Sequence, residues 1–572
     1  MASERAETVA TRHMAVAGHQ LAASAAFSVL EAGGNAIDAG VAGGLALGIL
    51  ESDLVSVAGV APIMVYSAET QRVVTISGLG WWPKAANIEH FRREYGGAIP
   101  NGALRTVVPA APDAWITALE LWGRMSFGEV ATAAIRYARD GFPMYPLMER
   151  VISEHEAEFR VAPATAAIFL PNGQPPRTGD LFFQKEAAAT LQYMADEEAA
   201  AARRGGRKSG LAAARDAFYK GDIARHIAEW QVAEGGWMTR EDLAAFRVGI
   251  EEPVRGHFAG ADVYACGPWC QGPALIELLN ILGGCDLRSF AHNSADAVHF
   301  CVEAVKLTMA DRDAWLGDPR FVDVPLETLT SEAYAIHRRR EIDMGRAMPE
   351  MPSPGDAGSR RSIPAAPAPT REPETAPLDT SYVCVVDEEG NVFSATPSDG
   401  AYGGTVAPGV GLAVSSRGCQ SWTDPAHASA LAPGKRPRLT PNPALAVLDG
   451  GTRFLPFGTP GGDVQTQAMS QCLINLMIHG MPAQEAVSAP RFASYSFPSS
   501  FHPHAYYPGL LKLEGAIAEE AGDELARRGH QIERWPERIW LAGSVCMIDA
   551  DSKRGLMTGG ADPRRMACAV GA

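Results

Sequence analysis

Residues 377–400 read PLDTSYVCVVDEEGNVFSATPSDG, and they decide the fold. Apolar residues alternate with small or polar ones on both sides of Asp387–Asn391, the pattern of a β-hairpin closed by a polar turn. With the turn at Asp387 to Asn391, Val386 faces Val392. Counting outward, Thr380 then faces Ser398 and Thr396 sits one step inward; a slip of one residue would change the pairing. The hairpin follows residues 348–377, which hold eight prolines and almost no large apolar side chains. Such a segment buries too little surface to offset its ordering entropy and is expected to be disordered. A tether running into a sheet edge fits a linker between domains. It also fits a chain that cuts itself and uses the new amino terminus as its catalyst.

The second possibility has a definite chemistry. A free α-amino group titrates near ~7.7–8.0, so much of it can act as a base at neutral pH. A threonine at a new amino terminus therefore joins nucleophile and base in one residue, and its β-branched χ1 is stiff. Making that terminus requires the Thr380 hydroxyl to attack the Asp379 carbonyl, followed by ester hydrolysis. Further along, FGTPGG ends with Gly461 and Gly462 at a strand-to-helix junction, where consecutive amides can face a developing oxyanion. Alone, Pro-Gly-Gly mostly marks turns.

The rest of the chain frames these features. Its 572 residues are 47% apolar and 20% charged, as in a globular protein. A net charge of −16 argues against nucleic acid and anionic membrane partners. The amino terminus lacks the apolar stretch of a signal peptide. AGVAGGLALGIL, residues 39–50, is too short to span a bilayer and reads as a packed core helix. Nine scattered cysteines read as reduced core thiols in a cytoplasmic protein. Gly33-Gly34 should stop one helix, and Asn35 should cap the next. Residues from about 110 to 350 look mostly helical, whereas PIMVYSAETQRVVTISGLG and NPALAVLDGGTRFLPFGTPGG each read as paired strands. Helices flanking paired sheets predict an α/β layered sandwich. Neither a P-loop, a Rossmann fingerprint nor a G-x-S-x-G elbow is present. His502 and His504 lack a third ligand and read as surface residues; Cys270 reads as a buried thiol. No cofactor or metal is expected.

Taken in order, VLEAGGNAIDAGVAGGLALGILE, EAVKLTMADRDAWLGDP, DTSYVCVVDEEGNVFSAT, KRPRLTPNPAL, GTPGGDVQ, APRF and GGADPRR resemble the γ-glutamyltransferase family of N-terminal nucleophile hydrolases. The resemblance covers nearly the whole chain. It implies a four-layer αββα sandwich and self-cleavage between Asp379 and Thr380. The products would be a large subunit, 1–379, with its disordered tail from about 348 to 378, and a small subunit, 380–572. The two would remain associated, and pairing of two such heterodimers is compatible with it. Thr380 becomes the nucleophile, Thr396 its hydrogen-bond partner, and Gly461 and Gly462 the oxyanion hole. Ser398, Arg417, Gln420 and Thr440 fall at substrate-binding positions.

Departures from the family pattern bear on the substrate. Leu79, in SGLGWWP, replaces an arginine that holds the α-carboxylate of γ-glutamyl substrates. Gly400 replaces an asparagine, and Leu439 with Thr440 replaces a pair of serines. In SSRGCQ, Arg417 and Gln420 replace groups that grip the substrate ammonium. A cation there costs ~1 kcal/mol or more. Arg417 could instead pair with a carboxylate on the acyl group, or be a solvated loop residue. Trp81 and Trp82 could wall the cleft or simply pack. The leading expectation is a self-processing amidohydrolase acting on a small, carboxylate-bearing acyl amide. Relatives that hydrolyse oxamate or glutaryl side chains of cephalosporins show such divergence. The alternatives are a γ-glutamyl hydrolase or transferase with an unusual pocket, and an unprocessed binding protein.

Overall fold

A computed structural model of the uncut chain describes residues 5–358, 367–370 and 379–572. Two seven-stranded antiparallel sheets form its centre. One runs Thr8–Ala10, Leu556–Ala561, Cys546–Asp551, Arg453–Gly458, Ala444–Leu448, Ala261–Ala265, Val254–Phe258. The other runs Cys568–Gly571, Met14–Ala17, Val383–Val386, Val392–Ala395, Ile63–Ser67, Arg72–Ile76, Ile250–Glu251. Each sheet mixes strands from before and after residue 380.

Period-two alternation in the hairpin explains the layering. Cys384, Val386 and Val392 point into a core shared with Leu445, Phe454, Cys546 and Ile548 of the facing sheet. Val383, Val385, Phe393 and Ala395 point the other way, into a core with helices Gln20–Glu31, Ala36–Leu50 and Ala111–Trp122. Helices Gly272–Gly283, Ala295–Trp315 and Gln465–Met477 cover the outer face of the other sheet. The result is the expected αββα sandwich. All fifteen residues of Ala36–Leu50 are buried, as an apolar helix without a polar face requires. A side chain at Gly40 would collide with the Phe393 ring, so glycine lets this helix lie directly on the hairpin.

The hairpin register is the predicted one, with Val386 opposite Val392 and Val383 opposite Ala395. Asp387 fixes it: Oδ1 accepts from Glu389 N and Asn391 N, while Oδ2 accepts from Ala36 N at 2.8 Å. The same carboxylate thus shapes the turn and caps the buried helix, beside the Asn35–Asp38 capping box. Asp387→Ala is expected to lower unfolding stability by about 1–2 kcal/mol, read as a shift in the urea midpoint.

The segment from 110 to 350 is mostly helical, as expected, and it also holds a hairpin, Val254–Phe258 paired with Ala261–Ala265. Its strands are only five residues long and its turn is Ala259-Gly260, so the alternation is brief. One expectation needs correction: the tail from about 348 is not disordered along its described part. Met348 N donates to Glu303 Oε2, Met351 N to Tyr506 Oη and Gly355 N to Asp311 Oδ1, at 2.6–2.8 Å. Thr370 and Tyr506 also pair through their backbones. Buried polar groups on neighbouring elements, invisible to composition, supply these anchors. The remainder of that expectation falls on 359–366 and 371–378, outside the described residues.

Candidate active site

Thr380 is fully buried just before the first hairpin strand, with φ at +96°. A β-branched residue rarely holds a positive φ, and the strain is worth about 1–3 kcal/mol. Surrounding bonds enforce it: Thr380 N donates to Leu54 O at 2.9 Å, and Arg565 Nη1 donates to Thr380 O at 3.1 Å. The Thr380 hydroxyl lies 2.5 Å from Ser398 Oγ and donates to Asp379 Oδ1 at 3.2 Å. Strain at the residue following the expected cut thus coincides with a hydroxyl held beside the residue preceding it.

Thr396 differs from expectation. Its hydroxyl is buried and finds no partner among the described residues, while its N–H donates to Pro62 O. The register explains this. Thr380 faces Ser398 directly, whereas Thr396 is a diagonal neighbour, and diagonal Cβ atoms lie ~7–8 Å apart against ~5 Å for opposed ones. In the uncut chain Ser398 is the hydroxyl partner.

Arg417 is wholly buried, not solvated. Its Nη2 meets Asp379 Oδ2 at 2.5 Å and also bonds Ser398 Oγ, and its Nε lies 3.3 Å from Asp399 Oδ1. Its guanidinium sits 5.5 Å over the Phe501 ring. Burial disfavours the cation, but Asp379 and Asp399 outweigh it, and the Arg417 pKa moves up. Burial likewise pushes Asp379 up, with Arg417 opposing. An arginine stays protonated in either case, so the pair is anchored by a permanent cation. The Asp379 carboxylate also lies 3.4 Å from Ser398 Oγ and accepts from Gly400 N at 3.4 Å. A side chain at Gly400 would meet Tyr402 and the Asp53 backbone. That crowding excludes an asparagine there in this backbone arrangement.

The other expected residues divide into two groups. Gln420 Nε2 donates to Thr440 Oγ1 at 2.9 Å, and Gln420 Oε1 is buried without a partner among the described residues. Gly461 and Gly462 hold φ of +126° and +56° at the start of helix Gln465–Met477. They line a small cavity of about 40 Å³ with Phe501, the same ring that lies under Arg417. Leu79 and Leu439 meet in one buried apolar cluster with Val60, Cys266, Trp269 and Cys270. Cys270 is the expected buried thiol. Trp82 packs against Phe91 and Trp237, and its Nε1 donates to Ser421 Oγ, so it is packing. His504 is not a surface residue: it is buried, stacks on Trp422 at 3.8 Å and lies between the Ser499 and Ser421 carbonyls, to one of which its single ring N–H donates. Burial lowers its pKa to about 3. A cavity of about 720 Å³ is lined by residues such as His292, Glu485 and Glu537 and contains none of the expected site residues.

Sequence reasoning missed a buried polar group beside Thr380. Glu51, Asp53, Tyr145 and Arg565 are each at most 5% exposed, and each has a side-chain atom unpartnered among the described residues. Arg565 holds the Thr380 carbonyl, and Leu54, which accepts the Thr380 amide, follows Asp53 directly. Two acidic residues closing a twelve-residue apolar run were the available signal. Burial, then the neighbouring Glu51, raises Asp53 to about 8. The folded state therefore binds a proton that the unfolded state releases above about pH 4, so stability falls as pH rises toward 8. Asp53→Asn removes this slope. Its thermal midpoint should gain on that of the wild type from pH 5 to about pH 8, and the gap should then level off.

A self-strained threonine, held by backbone bonds inside two stacked sheets flanked by helices, defines a hydrolase of the N-terminal nucleophile class. The comparisons carry this one step further. The family model described as Gamma-glutamyltranspeptidase matches residues 22–572, and the chain belongs to that family. It is 32% identical over 573 residues to Acylase ACY 1 proenzyme of Pseudomonas sp. (strain SE83), covering 98% of this chain and 93% of the relative. It is 30% identical to Oxamate amidohydrolase proenzyme of Klebsiella pneumoniae subsp. pneumoniae, covering 98% and 99%. Cephalosporin acylase from Bacillus halodurans superposes with a TM-score of 0.85 at 27% identity, covering all of this chain and 98% of the other. No helix among the described residues is long and apolar enough to cross a membrane.

Proposed function

We propose that the chain is a self-processing amidohydrolase that cuts itself between Asp379 and Thr380. The new Thr380 then cleaves the amide bond of a small acyl group bearing a carboxylate. The observation that carries this is the buried meeting of the Thr380 hydroxyl, Ser398, Asp379 and Arg417. Thr380 Oγ attacks the amide carbonyl, with its own α-amino group as base. Gly461 and Gly462 amides stabilise the oxyanion, Arg417 binds the acyl carboxylate, and the Gln420–Thr440 pair lines the substrate pocket. After cleavage, 1–379 and 380–572 stay together because both sheets interleave their strands. All nine cysteines are free thiols, which fits a reducing compartment, and we place the enzyme in the cytoplasm.

A γ-glutamyl substrate is disfavoured. Leu79, which stands where an arginine would hold an α-carboxylate, is an apolar side chain buried beside Leu439, and Arg417 repels the α-ammonium. Intact mass and amino-terminal sequencing of purified protein provide the test. Two fragments, one beginning at Thr380, together with turnover of carboxyl-bearing amides, are expected. A persistent full-length chain would sink the proposal and leave a binding protein.

A further inference from the structure

The bond to be cut in the uncut chain is itself an amide, and its acyl half is Asp379. When Thr380 Oγ attacks that carbonyl, the aspartyl unit is the first acyl group the site handles. Its side-chain carboxylate is already held by Arg417 Nη2, by Gly400 N and by one hydroxyl of the Thr380–Ser398 pair, whose oxygens lie 2.5 Å apart with the other proton between them. Every one of these donors lies after the cut, in the part that becomes the small subunit. Arg417, Ser398 and the Gly400 amide form a carboxylate receptor that remains with the small subunit when the Asp379 end departs, while the Thr380 hydroxyl serves as the nucleophile. A second observation points to a ligand there. Arg417 Nη1 is buried with no hydrogen-bond acceptor among the described residues, so the guanidinium has donor capacity that the aspartyl side chain leaves unused.

The covalent distance in this internal substrate is fixed. Between the attacked carbonyl carbon and the carboxylate carbon of an aspartyl unit stand two carbons, Cα and Cβ. A succinyl group has the same two carbons, an oxalyl group none, a malonyl group one and a glutaryl group three. Each added carbon lengthens the chain by a bond of about 1.5 Å, which is large beside the tolerance of a hydrogen bond.

Resting on the function proposed above, we propose that Asp379 is the enzyme's built-in substrate surrogate and that the processed site selects acyl groups of succinyl length. The carboxylate would lie two carbons beyond the scissile carbonyl and would bind Arg417, Ser398 and the Gly400 amide. Thr380 Oγ attacks the succinyl amide carbonyl, and its proton passes through the Thr380 α-amino group to the departing nitrogen as the C–N bond breaks. Water then attacks the ester, the α-amino group takes a proton from it and returns one to Oγ as the Oγ–C bond breaks. The products are a four-carbon dicarboxylate and an amine, or ammonia from a primary amide.

The test uses the processed wild-type enzyme with oxalyl, malonyl, succinyl and glutaryl mono-p-nitroanilides, and the methyl ester of the succinyl compound as the uncharged control. The kcat/KM should peak at succinyl, about ten-fold or more above malonyl, glutaryl and the ester. In parallel, the self-cleavage rates of Asp379→Glu and Asp379→Asn precursors, followed by intact mass, should both fall below wild type. A peak at oxalyl or glutaryl, or a flat series, overturns the length selection while leaving Thr380 as an amide-cleaving nucleophile. A flat series with Asp379→Asn unable to cut would make Asp379 a proton acceptor for Thr380 and would equally overturn the surrogate role. No turnover of any acyl anilide by an enzyme with a free Thr380 terminus would instead remove the proposed function itself.

Discussion

Thr380→Ala is expected to give one uncut chain of 572 residues and an amidase activity reduced by about 10³-fold or more, since nucleophile and base are lost together. The loss should not come from misfolding. Alanine keeps the Cβ and the backbone bonds to Leu54 and Arg565, so the variant should unfold at a midpoint close to that of the uncut precursor. Two further substitutions separate chemistry from strain. Thr380→Ser keeps the hydroxyl but frees χ1, so self-cleavage should persist more slowly. Thr380→Gly keeps neither, yet glycine accepts φ at +96° without penalty, and this variant should be more stable than Thr380→Ala by about 1 kcal/mol. Uncut Thr380→Ala with full hydrolytic activity would place the nucleophile elsewhere.

How far this site could be read from sequence depends on the range of each interaction. The hairpin was legible because its turn and alternation are local, and a correct register alone brings Thr380 against Ser398. In the uncut chain the Thr396 hydroxyl has no partner among the described residues, because Thr380 meets Ser398 across the hairpin instead. The chemistry of Arg417 was legible, but not its partner, 38 residues earlier and on the other side of the expected cut. Gly400 looked like a lost asparagine; only the crowding by Tyr402 and the use of its amide show why a side chain is absent. Glu51 and Asp53 directly follow an apolar run, where solvated polar residues are ordinary. Their burial follows from packing against Tyr145 and Arg565, residues that sequence spacing cannot connect. The short strands at 254–265 were lost for a related reason, since their identity comes from pairing with Ala444–Leu448 rather than from their own pattern.

Arg417→Met should have the second large effect, and it acts first on the precursor. The guanidinium is 0% exposed and lies against two buried carboxylates, Asp379 at 2.5 Å and Asp399 at 3.3 Å. Removing one partner of a buried pair leaves an uncompensated charge and costs about 3–5 kcal/mol. Burial already raises Asp379, and Arg417 opposes that rise. Without the arginine the folded-state pKa climbs further, so the folded chain holds a proton that the unfolded chain gives up as pH rises. The defect should therefore be smaller at pH 5 than at pH 8, measured as the gap in urea midpoint from wild type. Arg417→Met combined with Asp379→Asn should recover part of the loss at pH 8, because the neutral amide no longer needs the cation. Additive losses in that double variant would mean that the two groups do not interact, and the carboxylate receptor would lose its physical basis.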